Sequence, residues 1–243
     1  MTLAALNLAG RALQWNARTY VMGILNLTPD SFSGDGLLQS GVGIPGSTAW
    51  NAAVLEKARQ FVQAGADILD VGGESTRPGA APVSAADEIE RVIPAIRTLA
   101  SELDVLISVD TYKAEVAQAA LQAGAHLVND VWGLKADPAL AGVAARHQAP
   151  LILMHNRSAW AHAEIKERLG GRYVGMPYAN LLEDVCRELG ESIALAHAAG
   201  IPDERLILDP GIGFGKTVEQ NLELVRRLDE ICALGYPVLL GPS

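Results

Sequence analysis

The feature that most constrains this chain is a unit that recurs along it. "QAGADILDVGG" (Gln63 to Gly73) and "QAGAHLVNDV" (Gln122 to Val131) both set Ala-Gly-Ala between a helical pattern and a short apolar run, and "HAAGIPDERLILDPG" (His197 to Gly211) is a looser copy. Glycine suits the left-handed position that closes a helix, and the apolar run after it suits a parallel strand buried on both faces. Each copy therefore reads as helix end, tight turn, strand. Extending the reading predicts seven strands, at about Tyr20–Asn26, Ala66–Val71, Val105–Asp110, His126–Asp130, Pro150–His155, Arg205–Asp209 and Pro237–Gly241. Amphipathic helices are expected between them at Trp50–Gln63, Ala85–Leu99, Tyr112–Ala123, Ala179–Ala199 and Val218–Leu234. Ser84 stands three residues before Asp87 at capping spacing, and Thr111 occupies an N-cap position. Strict alternation of strand and helix implies a parallel sheet, open or closed, and 243 residues without a linker or low-complexity tract suit one α/β barrel.

Composition narrows the function. A hydrophobic content of 49% supports a full core, and a net charge of −9 repels phosphate backbones, so nucleic acid is not an expected partner. Cys186 and Cys232 lie far apart and form neither a CxxC nor a zinc spacing, which fits a reduced cytoplasmic protein with packed thiols. Met1 to Ala9 lacks the leading basic residues of a signal peptide, and Asn7 interrupts its apolar run. No stretch approaches the roughly 18 apolar residues of a membrane helix, so no membrane partner is expected.

The polar residues fall in a pattern. Asn26, the run Glu74-Ser75-Thr76-Arg77, Asp110, Asn129 with Asp130, His155 with Asn156, and Asp209 all stand at or just past the carboxyl ends of the apolar strands. In barrels and open α/β sheets that edge binds ligands. Any one of these residues could simply start a turn or cap a helix; six such strand ends together point to a site. The first strand, in "VMGILNLTPDSFSGDG", ends on Asn26 and runs into a long glycine-rich loop that reads as a cover for that site.

Other motifs sharpen or exclude chemistry. "DPGIGFGKT" (Asp209 to Thr217) lacks the first glycine of a nucleotide-binding P-loop, because Pro210 stands there without an N–H. Its glycines instead let the backbone run close under a ligand held by Asp209. The five histidines show no zinc spacing. Asp110 and Asp209 could be paired glycosidase carboxylates, although 5% aromatic content supplies few stacking faces for a sugar. "ESTRPG" combines hydroxyls with Arg77, whose planar fork grips phosphate or carboxylate bidentately.

Taken in order, "GILNLTPDSFSGDG", "GADILDVGGESTRPGA", "ISVDT", "NDV" and "LILDPGIGFGKT" resemble the dihydropteroate synthases of folate biosynthesis, from about Val21 to Ser243. The resemblance implies a (β/α)8 TIM barrel, a transferase that joins 6-hydroxymethyl-7,8-dihydropterin diphosphate to p-aminobenzoate with release of diphosphate. It implies that Asp110, Asn129 and Asp209 accept hydrogen bonds from the pterin edge while Met154 packs on its ring. Asn26 would stand beside Mg²⁺ and the diphosphate, Arg77 would grip the anion, and Phe32, Thr76 and Pro78 would shape the p-aminobenzoate pocket. It also implies a cytoplasmic homodimer.

Two departures accompany the resemblance. Extra glycine-rich sequence follows Ser33-Gly34-Asp35-Gly36, which predicts a longer first loop. Ser243 matches the first residue of the family's "SRKS" motif, so residues 1–243 are expected to form one pterin-binding barrel domain truncated after strand seven, without its last βα unit. The alternatives to an active synthase are a catalytically incomplete pterin-binding fragment or paralogue and a pterin-dependent methyltransferase.

Overall fold

The structure is a computed structural model that describes residues 3–28, 44–75, 80–158, 163–164, 172–173 and 176–241. It opens with an antiparallel hairpin of two short strands, β1 (Leu6–Leu8) and β2 (Arg11–Leu13). Strands and helices then alternate: β3 (Met22–Asn26), α1 (Thr48–Gln63), β4 (Ile68–Gly72), α2 (Ala85–Glu102), β5 (Leu106–Asp110), α3 (Ala114–Ala123), β6 (Leu127–Asp130), α4 (Leu140–His147) and β7 (Leu151–Met154). After β7 come a two-residue ribbon, β8 (Ala163–Glu164) with β9 (Arg172–Tyr173), then α5 (Leu181–Ala198), β10 (Leu206–Asp209), α6 (Val218–Arg226) and α7 (Leu228–Cys232).

Six strands form one parallel sheet in the order β3-β4-β5-β6-β7-β10. Each strand neighbours the next in sequence, with no reversal of order such as a doubly wound open sheet shows. The expected seventh strand is reduced to a single parallel bridge, Leu208 to Val238, held by Leu208 N–H to the Pro237 carbonyl (2.9 Å) and Leu239 N–H to the Leu208 carbonyl (2.8 Å). The wall is strongly curved: Met22, Ile68, Leu106, Leu127, Ile152, Ile207 and Leu239, one from each successive strand, meet in one apolar cluster. That is the interior of an α/β barrel, filled by side chains from every stave.

Period-two alternation sorts each strand. Leu25, Leu69, Val71, Ile107, Val109, Val128, Leu151, Leu153, Leu206 and Leu208 point outward into the main core, where the helices cover them with Trp50, Val54, Val92, Ile96, Leu99, Leu140, Val185 and Leu189. The helices close as the recurring motif requires. Gly124, at the end of α3, has φ +116, and a Cβ there would lie 2.7 Å from the Ala100 Cβ, so glycine serves both the turn and the approach of α2. Ser84 caps α2 by accepting from Asp87 N–H at 3.1 Å.

Three features depart from the expectation. The hairpin β1–β2 is too short to show a periodicity, yet Leu6 and Leu13 plug the amino-terminal end of the barrel interior. Arg18 ties this plug to the wall through Asp67, at 2.8 and 2.5 Å. Helix α4, LAGVAARH, escapes sequence reading because it has only 8 residues, about two turns, and no side-chain cap marks its start. The expected helix Val218–Leu234 breaks at Arg227, which leaves helical geometry and bonds Glu223 and Glu230 on either side.

Since Leu13 is 5% exposed against interior side chains from several strands, Leu13→Ala should lower unfolding free energy by about 2–5 kcal/mol. Urea denaturation would measure it, and a loss under about 0.5 kcal/mol would mean that the hairpin does not plug the barrel.

Candidate active site

The apolar layer at the bottom of the barrel gives way to polar side chains higher up the same inward faces. Register aligns Asn26 with Gly72, Gly72 with Asp110 and Asp110 with Asn129, while Asp209 aligns with Met154. Asn26, Asp110, Asn129, Met154 and Asp209 therefore ring one mouth at the carboxyl ends of the strands. Gly72 makes room between two of them: a Cβ there would lie 3.4 Å from Asp110 Oδ2 and 3.7 Å from Asn26 Oδ1. Phe32, Thr76, Arg77, Pro78 and Ser243 lie outside the described residues.

The mouth is rich in acceptors. Asn129 donates from Nδ2 to Asp70 Oδ2 at 2.9 Å, which fixes the amide and leaves its Oδ1 for another partner. Asp70 sits one layer below the mouth, and burial raises its pKa against the opposing help of Ser108 and Asn129. Asp110 is raised well above the usual carboxylate range, first by burial and then by the charges of Asp70, Glu88, Asp130 and Glu74. Asp209 is pushed up to about 6 by burial, opposed by the Gly211 N–H that its Oδ1 accepts at 2.7 Å and by the Lys216 charge. Three carboxyl groups thus stand in low-dielectric surroundings with few donors of their own, a set that favours a ligand offering N–H groups.

Not every polar strand end faces the mouth. Asp130 turns outward and accepts the N–H groups of Trp132 (2.8 Å) and Leu134 (2.6 Å), closing the turn after β6. Asn156 bonds the Val131 carbonyl and Ser158, and so braces the loop after β7. Glu74 is buried behind the wall with Lys113, which also reaches Glu88 at 2.5 Å, and with the Tyr112 hydroxyl at 3.3 Å. His155 also points outward, its Nε2 3.0 Å from Glu188, which in turn pairs with Arg157. Sequence reading places these residues at the strand ends without giving them a face; Glu74, His155 and Asn156 follow the last strand residues, where the alternation stops, whereas Asp130 ends β6 on its outward parity.

Two residues were missed. Asp70 is flanked by apolar residues in "DILDVGG" and was absorbed into the strand pattern, although its even spacing from Ile68 puts it inside. Lys216 was read only as part of a failed P-loop motif. Its ammonium is buried among the carbonyls of Gly211 and Phe214, at 2.8 and 2.9 Å, so the glycine loop folds around a lysine of its own.

Comparison with known proteins gives the family. The family model described as "Pterin binding enzyme" matches residues 22–243. A dihydropteroate synthase of Clostridium beijerinckii is 47% identical over 226 residues, which cover 93% of this chain and 74% of the relative. A Clostridium difficile dihydropteroate synthase structure obtained in the presence of pteroic acid aligns at 44% identity with a TM-score of 0.77, covering 93% of this chain and 76% of that one. The Xanthomonas albilineans dihydropteroate synthase with 4-aminobenzoic acid aligns at 39% identity with a TM-score of 0.80, covering 99% and 78%.

Gly211, at φ +69, would drive a Cβ into the His155 carbonyl oxygen. Gly211→Ala should therefore cost about 2–5 kcal/mol, combining left-handed strain with overpacking. A thermal melt indistinguishable from the parent chain would show that the turn after Asp209 can relax.

Proposed function

The chain belongs to the dihydropteroate synthase family of pterin-binding enzymes, transferases of folate biosynthesis, and on that premise we propose which residues at its barrel mouth join 6-hydroxymethyl-7,8-dihydropterin diphosphate to p-aminobenzoate. The observation that carries the reading is the convergence of Asp110, Asn129 and Asp209 on one inward ring with Met154. A dihydropterin presents an edge of N–H donors. Buried carboxylates and an amide oxygen held in place by Asp70 are its complement, and charge-assisted bonds in such surroundings are the strong ones. Met154, 5% exposed, supplies an adaptable apolar contact for the ring.

In the reaction the amine of p-aminobenzoate forms a bond to the pterin methylene carbon as the bond from that carbon to diphosphate oxygen breaks, and the amine nitrogen then gives up a proton. The ring acceptors hold the pterin still while positive character develops on the methylene. By resemblance, Arg77 grips the departing anion, Phe32, Thr76 and Pro78 shape the second substrate's pocket, Ser243 completes the substrate site, and the loops that carry Phe32 and Arg77 exclude water.

Magnesium fits this mouth in a limited way. Asn26 offers an amide oxygen, a donor suited to a hard cation, whereas no group of three or more His, Cys, Asp or Glu among the described residues could hold a metal. Asn26 would therefore meet a cation that arrives with the diphosphate, and such a cation would neutralise the leaving group's charge. A cytoplasmic homodimer is the corresponding cellular form by resemblance; among the described residues no helix is long and apolar enough to cross a membrane.

Asp110→Asn or Asp209→Asn should weaken binding of 6-hydroxymethylpterin by roughly 2–5 kcal/mol, because a buried donor edge loses its charged acceptor. Calorimetry decides it, and unchanged affinity in both variants would remove these residues from the site. Arg77→Ala should leave pterin affinity within about threefold while turnover falls by two or more orders of magnitude, the pattern of a group that acts on the developing anion. An equal loss of pterin affinity and turnover would overturn that role.

A further inference from the structure

Lys216 has no part in the pattern read so far, yet it is among the most enclosed charged groups in the molecule, 3% exposed. An ammonium has three N–H donors. Here they meet the Gly211 carbonyl at 2.8 Å, the Phe214 carbonyl at 2.9 Å and His155 Nδ1 at 3.0 Å, with the His155 carbonyl farther off at 3.4 Å. His155 is set up to accept. Its Nε2 lies 3.0 Å from Glu188 Oε2, so the ring proton belongs there and Nδ1 keeps its lone pair for Lys216. Glu188 is itself held by Arg157, whose guanidinium stacks 4.2 Å over the Tyr178 ring.

This cluster ties two loops together. The loop after β10 runs from Gly211 to Lys216, and the loop after β7 begins at His155. They touch backbone to backbone: His155 N–H bonds the Asp209 carbonyl at 2.8 Å, and a Cβ on Gly215 would lie 2.8 Å from Ser158 N. Lys216 reaches across from one loop to the other. The Gly211 whose carbonyl it holds is the same residue whose N–H holds Asp209 Oδ1 at 2.7 Å. The lysine is thus one peptide unit from the carboxylate, and its charge acts on that carboxylate directly as well.

We propose that Lys216 is a positioning residue for the reaction: its buried ammonium clamps the loops after β7 and β10 and holds Asp209, ionised and correctly turned, at the pterin edge. The proposal rests on the reading of Asp209 as a pterin acceptor. The groups that bear on the charge of the clamp are Asp209 at the end of β10, His155 and Arg157 after β7, Glu188 on α5, and Tyr178 against the His155 ring. Burial lowers Lys216 to about 7 and raises Asp209 to about 6, and each charge offsets the other's desolvation. A pterin that binds the ionised carboxylate should therefore lose affinity as pH falls through about 6. Removing the cation should move that limb upward by about one to two units, which amounts to an affinity loss of about two- to tenfold at pH 7.

The test is calorimetric titration of the full chain with 6-hydroxymethylpterin between pH 5 and 8. Lys216→Met and Lys216→Gln are compared with Asp209→Asn and the Lys216→Met/Asp209→Asn double variant. The expected results are an upward-shifted acid limb in both lysine variants and a double variant no weaker than Asp209→Asn alone, since the lysine acts through that residue. In steady-state assays the KM for the pterin substrate should rise while that for p-aminobenzoate stays within about twofold. An unmoved limb, additive losses in the double variant, or loss of folding in both lysine variants would overturn the proposal and make Lys216 a stability residue. Undiminished pterin affinity in Asp209→Asn alone would instead overturn the site reading beneath it.

Discussion

Everything in this molecule depends on period-two alternation in a curved parallel wall. Outward positions of β4, β5, β6, β7 and β10 are apolar apart from Asp130 at the end of β6, because helices cover them, and that layer supplies the driving force for folding. Inward positions are free of that demand except at the bottom, where Ile68, Leu106, Leu127, Ile152 and Ile207 fill the taper under the Leu6–Leu13 plug. The upper inward layers can therefore carry Asp70, Ser108, Asp110, Asn129 and Asp209, which an ordinary core would exclude. The site is the part of the barrel interior that folding does not need to be apolar.

That freedom has a cost that reveals what the site is for. Burial pushes Asp209 up to about 6 in the folded chain from the 3.8 of an ordinary aspartate, so its protonated form is favoured by folding. The sign follows: its contribution to stability is full below about pH 4 and is lost as pH rises through 6, leaving a deficit of about 3 kcal/mol at pH 7. The raised pKa of Asp110 acts in the same direction. A chain selected for stability alone would not keep acids there. A ligand that brings N–H donors to them relieves the deficit on binding, which is how a folded protein stores affinity for a pterin-like edge.

Much of this was legible beforehand, and the limits have physical reasons. The strands of the parallel sheet could be read because they are nearly continuous apolar runs with polar ends that mark an edge, whereas the two-residue ribbon β8–β9 carries no such run. Asn26, Asp110, Asn129 and Asp209 fall inside the last strand residues, where parity still assigns a face. His155 and Glu74 lie beyond the last strand residues, where loop geometry sets their direction, whereas Asp130 is still within β6 and its parity with Val128 turns it outward. Asp70 was lost for the opposite reason, since a polar residue inside an apolar run reads as noise until parity is applied. Lys216 could not have been found by pattern at all: its partners are mostly backbone carbonyls, which every residue has.

Two lysines, Lys113 half-buried and Lys216 buried, follow a common arrangement. Lys113, at the start of α3, fastens Glu74, the stem of the loop after β4, together with Glu88 of α2. Lys216, just before α6, fastens the loop after β10 to the end of β7. In each case a cation from behind the wall satisfies groups at the base of a loop, and the inward carboxylates are left without a full complement of donors. Were a lysine placed inside the ring instead, it would quench Asp110 or Asp209 and compete with the ligand for them. With the cations set behind, the loop stems are tied to the wall while, among the described residues, the inward acceptors keep lone pairs for a ligand.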